Sequence, residues 1–202
     1  PGASNCASLP PNLSTEVLLA INEVMANPLS ETDGEFIELF NFGSEPIELG
    51  GMILSDGDST DVLAAWDGGT TSLDSGAFAV ILDPDYAGIY DIPAGTVLLT
   101  AATSSTLGNG LSVNDPISLL QAGTQVVIDT YTHILNPGNG ISTEKVDPAI
   151  GDITSNYVAA TCLSGSSPGM WNCVTLDGTD PVTGTTIAVM EVMANPLDED
   201  RD

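Results

Sequence analysis

The chain has 202 residues, 28 Asp and Glu against 2 Lys and Arg, a formal net charge of −26 at pH 7 and 42% hydrophobic residues. That hydrophobic content separates it from chains that charge keeps disordered, so a folded core under an acidic surface is expected. Phosphates are held by Lys and Arg, and the chain offers only Lys145 and Arg201, which excludes nucleic acid as a partner; an anionic membrane surface repels it equally.

Residues 1–16 read as an N-terminal linker segment. They begin with Pro and not Met, so a removed leader or a longer preceding chain is expected, and Asn12-Leu13-Ser14 fits a glycosylation sequon. From there short apolar, β-branched runs alternate with Gly, Pro, Asn and Asp turns, which predicts strands at 17–26, 35–41, 47–55, 77–83, 95–101, 116–121, 124–130 and 154–161. Residues 173–185 read as a linker, followed by a last strand at 186–194 and an acidic loop to 202. Helical periodicity is almost absent, and no apolar run reaches the roughly 18 residues of a membrane span, so no membrane insertion is expected. Many short strands at this spacing make a β-sandwich or barrel. Alternation within Glu35–Phe40 puts Phe36, Glu38 and Phe40 on one face and Glu35, Ile37 and Leu39 on the other, so each face carries a carboxylate among apolar neighbours.

The sequence also repeats itself. Glu23-Val24-Met25-Ala26-Asn27-Pro28-Leu29 recurs letter for letter at 191–197, and matching apolar segments, Val17 to Ile21 and Ile187 to Val189, precede the two copies. Asn5-Cys6 corresponds to Asn172-Cys173, one residue out of step. Cys162 and Cys173 flank the turn-rich stretch 164–169, where a local disulfide is easily closed and would stabilise by up to ~3 kcal/mol. Cys6 would then pair with a preceding unit or stay free. Cysteines so placed, with few Lys, point to the outside of the cell.

Three ordered stretches carry a family resemblance: Ile21-Asn22-Glu23-Val24, then Gly34 through Asn41, then Ile47 through Asp56. Later pieces follow in the same order, among them Ile92-Pro93-Ala94-Gly95, Asn114 through Leu120, Val127-Ile128-Asp129, Gly140 through Lys145 and Ser167-Pro168-Gly169. Together they resemble the lamin-tail domain in its bacterial or archaeal extracellular form, over about residues 17–172, with the start of a second tandem copy at the C-terminus. The resemblance implies an all-β, immunoglobulin-like sandwich used as a module of secreted or surface proteins. Two positions depart from the pattern: Phe36 stands where Trp is usual and Lys145 where Arg is usual. The family fixes no activity, because one fold hosts many functions.

Lys145 is the one Lys in the chain, and a sheet could converge Glu23, Glu38 and Asp129 on it, since buried carboxylates need a cation or must take up protons. A structural ion pair is therefore expected there. Divalent cations, Ca2+ above all, suit the acidic surface. The tail places Asp198, Asp200 and Asp202 at alternate positions, as the first half of a calcium loop does, and Asp56, Asp58 and Asp61 make a second candidate set. Catalysis is not expected. Gly165-Ser166-Ser167-Pro168-Gly169 matches the nucleophile-elbow pattern, but Pro168 lacks the N–H that an oxyanion needs, and His133 is the sole histidine.

The reading that follows is a non-enzymatic extracellular or cell-surface structural protein that partners itself. In one form, the last strand, with Ile187, Val189, Glu191, Val192 and Met193, completes the sheet of the next molecule and builds a Ca2+-stabilised filament. In the other, the strand begins the next domain of a tandem-repeat adhesin or display protein. A module attached to a secreted enzyme is a weaker third form.

Overall fold

The computed structural model describes residues 17–132 and 135–174, together with the backbone of 179–180 and 185–186. In chain order the strands are β1 (Leu19–Met25), β2 (Phe36–Asn41), β3 (Ile47–Glu48), β4 (Ile53–Ser55), β5 (Thr60–Ala65), β6 (Ser72–Leu73), β7 (Phe78–Leu82), β8 (Val97–Ala101), β9 (Ile117–Leu120), β10 (Val127–Tyr131), β11 (Thr143–Lys145) and β12 (Tyr157–Ala159). A ladder of two residues per strand follows, β13 (Thr179–Asp180) with β14 (Thr185–Thr186).

One 10-stranded sheet runs in the order β10-β9-β4-β5-β8-β7-β2-β1-β11-β12, and β3 pairs with β6 beside it. Neighbours are antiparallel except β7 and β8, which run parallel. Strand twist accumulates over such a sheet and folds it into two packed layers. Across the gap between β1 and β10, the Ile21 N–H donates to Asp129 Oδ2 at 2.8 Å. Between the layers lie Leu19, Ile21, Ile37, Leu54, Leu63 and Leu119, each 2% exposed or less.

The layer containing β1, β2 and β7 is covered on its outer face as well. Phe36, Val80, Leu82 and Met25 pack beneath Tyr86, Tyr90 and Ile92 of the β7–β8 connection. Phe40 and Phe78 pack against Trp171, at ring separations of 4.9 and 5.4 Å. Double coverage explains why every residue of β1 and β2 is buried.

The structure differs from the sequence reading in a few elements. The expected strand at 47–55 divides into β3 and β4, because the chain turns at Gly51, whose φ of +82° suits glycine. β5 had no counterpart in the reading: Val62 to Ala65 is a continuous apolar run and not an alternating one, and β5 sits inside the sheet between β4 and β8. β6 and β11 are too short to show a period, and of the last expected strand residues 187–194 lie outside the described residues.

Candidate functional site: a row of buried glutamates under a disulfide loop

Antiparallel pairing sets Glu38 of β2 opposite Glu23 of β1, and Glu23 opposite Glu144 of β11. Residues in register share a face, so three carboxylates line up across three adjacent strands, all 0% exposed. A register shift between Ile21 and Glu23 brings Asn22 into the same row, where its Nδ2 donates to Glu38 Oε1 at 2.7 Å and to Asn172 Oδ1 at 2.8 Å. Asn172 Nδ2 in turn donates to the Lys145 carbonyl at 2.7 Å.

The roof over this row is the loop between Cys162 and Cys173, which are joined by a disulfide with a Cα–Cα distance of 5.6 Å. Its backbone and hydroxyls serve as donors. Ser167 N–H donates to Glu23 Oε1 at 2.9 Å, and Gly169 N–H donates to Glu38 Oε2 at 2.5 Å. From the residue just before β11, Ser142 Oγ donates to Glu23 Oε1 at 2.5 Å. Ser167 Oγ lies 3.3 Å from Glu23 Oε2 and 2.8 Å from Glu144 Oε1. The tight roof depends on glycine at two places. Gly165 and Gly169 have φ of +81° and +82°, and a Cβ would meet the Gly140 carbonyl at 2.1 Å in the first case and Thr96 Oγ1 at 2.5 Å in the second. The segment that resembled a nucleophile elbow is thus a clamp on carboxylates.

Burial is the main force on these acids. It pushes Glu23 up to about 7, against the opposing hydrogen bonds from Ser142 and Ser167 and with added repulsion from Glu144. Glu38 is raised well above the ordinary carboxyl range by burial first and by Glu23 second. Glu144 is also raised by burial, and Ser167 and the backbone of Cys173 and Val174 pull against it. Each of the three therefore holds a proton more readily than an exposed carboxyl does. One arrangement satisfies the geometry: a proton on Glu23 Oε2 donates to Ser167 Oγ, whose own hydrogen is then directed at Glu144 Oε1.

The expected convergence of Glu23 and Glu38 on Lys145 is corrected by the structure. Successive residues of a strand point to opposite faces, so Glu144 looks up at the roof and Lys145 looks down into the core. There Lys145 Nζ meets Asp129 Oδ2 at 2.6 Å, with side-chain exposures of 1% and 12%, and lies 5.6 Å from the centre of the Tyr157 ring. Asp129 is the member of the expected set that pairs with it.

The set Asp56, Asp58 and Asp61 does not form a cage either. Asp56 Oδ1 accepts the N–H groups of Asp58 and Ser59 at 2.9 and 2.6 Å, Asp58 is exposed, and Asp61 turns to another loop, accepting Gly108 N–H at 2.7 Å and a hydroxyl from Ser104. Two further acids join Asp61 there: Asp83 Oδ2 accepts Leu107 N–H at 3.0 Å and Glu35 Oε2 accepts Leu111 N–H at 2.9 Å. Burial, with repulsion from Asp83, Glu31 and Asp115, pushes Glu35 up to about 7. Among the described residues, the one group of His, Cys, Asp or Glu ligand atoms within 4.8 Å of one another is Glu144, Cys162 and Cys173, and the two sulfurs of that group are bonded to each other. Cys6, His133, Asp198, Asp200, Asp202 and the strand residues Ile187, Val189, Glu191, Val192 and Met193 lie outside the described residues.

A folded-over β-sheet of short strands, with donors and acids serving its own closure, defines an immunoglobulin-like β-sandwich module. The Lamin Tail Domain model matches residues 14–134, more than half of the sequence, and the chain belongs to that family. No curated protein matches it. The match ends before β11, so Glu144, Lys145 and the disulfide roof lie beyond the matched stretch.

Proposed function

We propose that the chain is a non-catalytic extracellular module of a self-partnering surface protein, of the bacterial or archaeal type, in which one sandwich follows another as tandem units. One observation carries this reading. β1 is buried along its whole length and hydrogen-bonded on both sides, by β2 and β11, and its Glu23–Leu29 sequence recurs at 191–197. Glu191, the counterpart of Glu23, needs what Glu23 has: flanking strands, Ser donors and a roof. This sandwich already holds its own β1, so a copy of that strand has no empty place in it. The copy suits the first strand of a following sandwich better than an added strand at a neighbour's edge. The disulfide supports an oxidising location.

The filament form of self-assembly makes a different prediction, and light scattering separates the two. The 202-residue chain is expected to be monomeric at 100 μM, with and without 5 mM CaCl2. Concentration-dependent oligomers that disappear in Val192→Asp would support strand exchange between molecules and overturn the tandem reading. Ca2+ belongs to the proposal as a ligand of the acidic tail: the Asp198→Asn, Asp200→Asn, Asp202→Asn variant is expected to lose whatever Ca2+ binding calorimetry detects in the unaltered chain.

A further inference from the structure

Four loops meet beyond the C-terminal end of β1 and enclose a groove of about 420 Å³. Met25, Leu29, Ile89, Tyr90, Pro168 and Met170 supply its apolar surface. Leu29 is 81% exposed, Ile89 47% and Met170 43%, a concentration of large apolar side chains that a solvated module has no structural need to display in one place. The walls are firm. A Cβ on Gly34 would meet Pro28 Cβ and the Ser30 carbonyl at 2.7 Å, one on Gly140 would meet the Leu29 side chain at 2.7 Å, and Tyr90 OH is tied to the Gly34 carbonyl at 2.6 Å. The disulfide loop forms one wall, with Ser166 and Pro168 lining the groove and Ser167 between them bonded to the glutamate row.

The polar lining consists of three serines, Ser30, Ser164 and Ser166, and one acid. That acid is Asp91, and Asp33 accepts the hydroxyl of Ser30. A second copy of this chain is poorly suited to neutralise these acids, since it brings −26 of its own, and of its two basic residues Lys145 is buried and Arg201 lies outside the described residues.

We propose that this groove docks a segment of a different protein that presents an aliphatic side chain flanked by Lys or Arg. The aliphatic group fills the space between Leu29, Ile89 and Met170, and the basic groups sit at Asp91 and Asp33. Loops gathered at one end of a rigid sandwich are a common location for such a surface. The claim is independent of whether the module is tandem or filamentous.

Fluorescence anisotropy with the 202-residue chain tests it. The probe is a labelled 12-residue peptide of alternating Lys and Leu, compared with a peptide in which Gly replaces each Leu. Saturable binding of the Lys-Leu peptide is expected, weakened about tenfold or more in the Lys-Gly peptide, as the loss of one buried Leu implies. Leu29→Ser with Met170→Ser should weaken it by a similar factor. Asp91→Asn should weaken it about threefold and flatten its dependence on NaCl. Val126→Ser with Val127→Ser, an exposed apolar pair on the β9–β10 hairpin, should leave it unchanged. Absent binding, equal affinity for both peptides, or equal affinity of the two double variants would overturn the proposal. The last two outcomes would reduce it to general attraction between a polyanion and a polycation.

Discussion

Glu144 and Lys145 are neighbours on β11, both shut away from solvent, and the two sides of the strand handle charge in opposite ways. Below, among the described residues, Lys145 pairs with one acid, Asp129, which also accepts the Ile21 N–H, so the pair ties β11 and β1 to β10. Above, Glu144 shares its face with Glu23 and Glu38 and finds hydroxyls and backbone N–H groups instead of a cation. With so few bases in the chain, buried acids must be neutralised by protons or held by N–H dipoles nearly everywhere, and the one internal Lys serves where two layers need a tether. The loop at 107–111 shows the dipole solution, with Asp61, Asp83 and Glu35 each accepting a backbone N–H.

Removing the anion from the lower side should break the contrast most severely. Asp129→Ala leaves a fully buried ammonium without a counter-charge, and a loss of about 3–5 kcal/mol in urea denaturation is expected. Asp129→Leu combined with Lys145→Met should recover most of it, since an apolar pair of similar volume avoids the desolvation of both charges. If Asp129→Ala unfolds at the same urea concentration as the unaltered chain, the pair is not a tether.

The upper side should respond to pH. Glu23 holds its proton up to about 7 in the folded chain and releases it near 4.5 in the unfolded one. Between those values the folded state binds more protons, so this group lowers stability as pH rises from about 4.5 to 7, by on the order of 3 kcal/mol. Glu35, raised for the same reason, acts in the same direction. Glu23→Gln keeps the geometry: its carbonyl accepts from Ser142 and Ser167 N–H, and its NH2 faces Ser167 Oγ. That variant should show a shallower loss between pH 5 and 8 and greater stability than the unaltered chain at pH 8. Glu38→Gln should not do this, because both Glu38 oxygens already face donors, Asn22 Nδ2 and Gly169 N–H, and an NH2 would oppose one of them. Thermal melts of the two variants across this pH range check the distinction.

Much of this contrast is legible in the sequence, and the part that is not has a definite cause. Alternation alone placed Glu38 on the face of Phe36 and Phe40, and the structure puts all three under the outer cover. The same alternation separates Glu144 from Lys145, and applying it to 143–145 would have removed Glu23 and Glu38 from the lysine's surroundings. What alternation cannot supply is register: that Glu23 lies opposite both Glu38 and Glu144 depends on pairing over 15 residues in one direction and 121 in the other. The local disulfide needed no such knowledge, because the two cysteines are 11 residues apart. Ser167 was visible as part of a turn, but its role as donor is set by residues more than a hundred positions away.

A third kind of acid gives the smallest expected effect and marks the edge of the contrast. Asp56, Asp58 and Asp61 look equivalent in the sequence, yet two are buried and hold N–H groups while Asp58 is exposed and offers only its own backbone N–H to Asp56. Asp58→Asn keeps that N–H, so its stability should stay within about 0.5 kcal/mol of the unaltered chain. Asp61→Ala removes the oxygens that accept Gly108 N–H and the Ser104 hydroxyl and leaves a buried N–H unpaired, so about 1–3 kcal/mol should be lost. Urea melts of the two variants measure the difference directly. Equal losses would mean that the loop at 107–111 is not held by its acids; unequal losses in the expected order would show that, in a chain so rich in carboxylates, an acid's contribution follows from its N–H partners and not from its place in an acidic run.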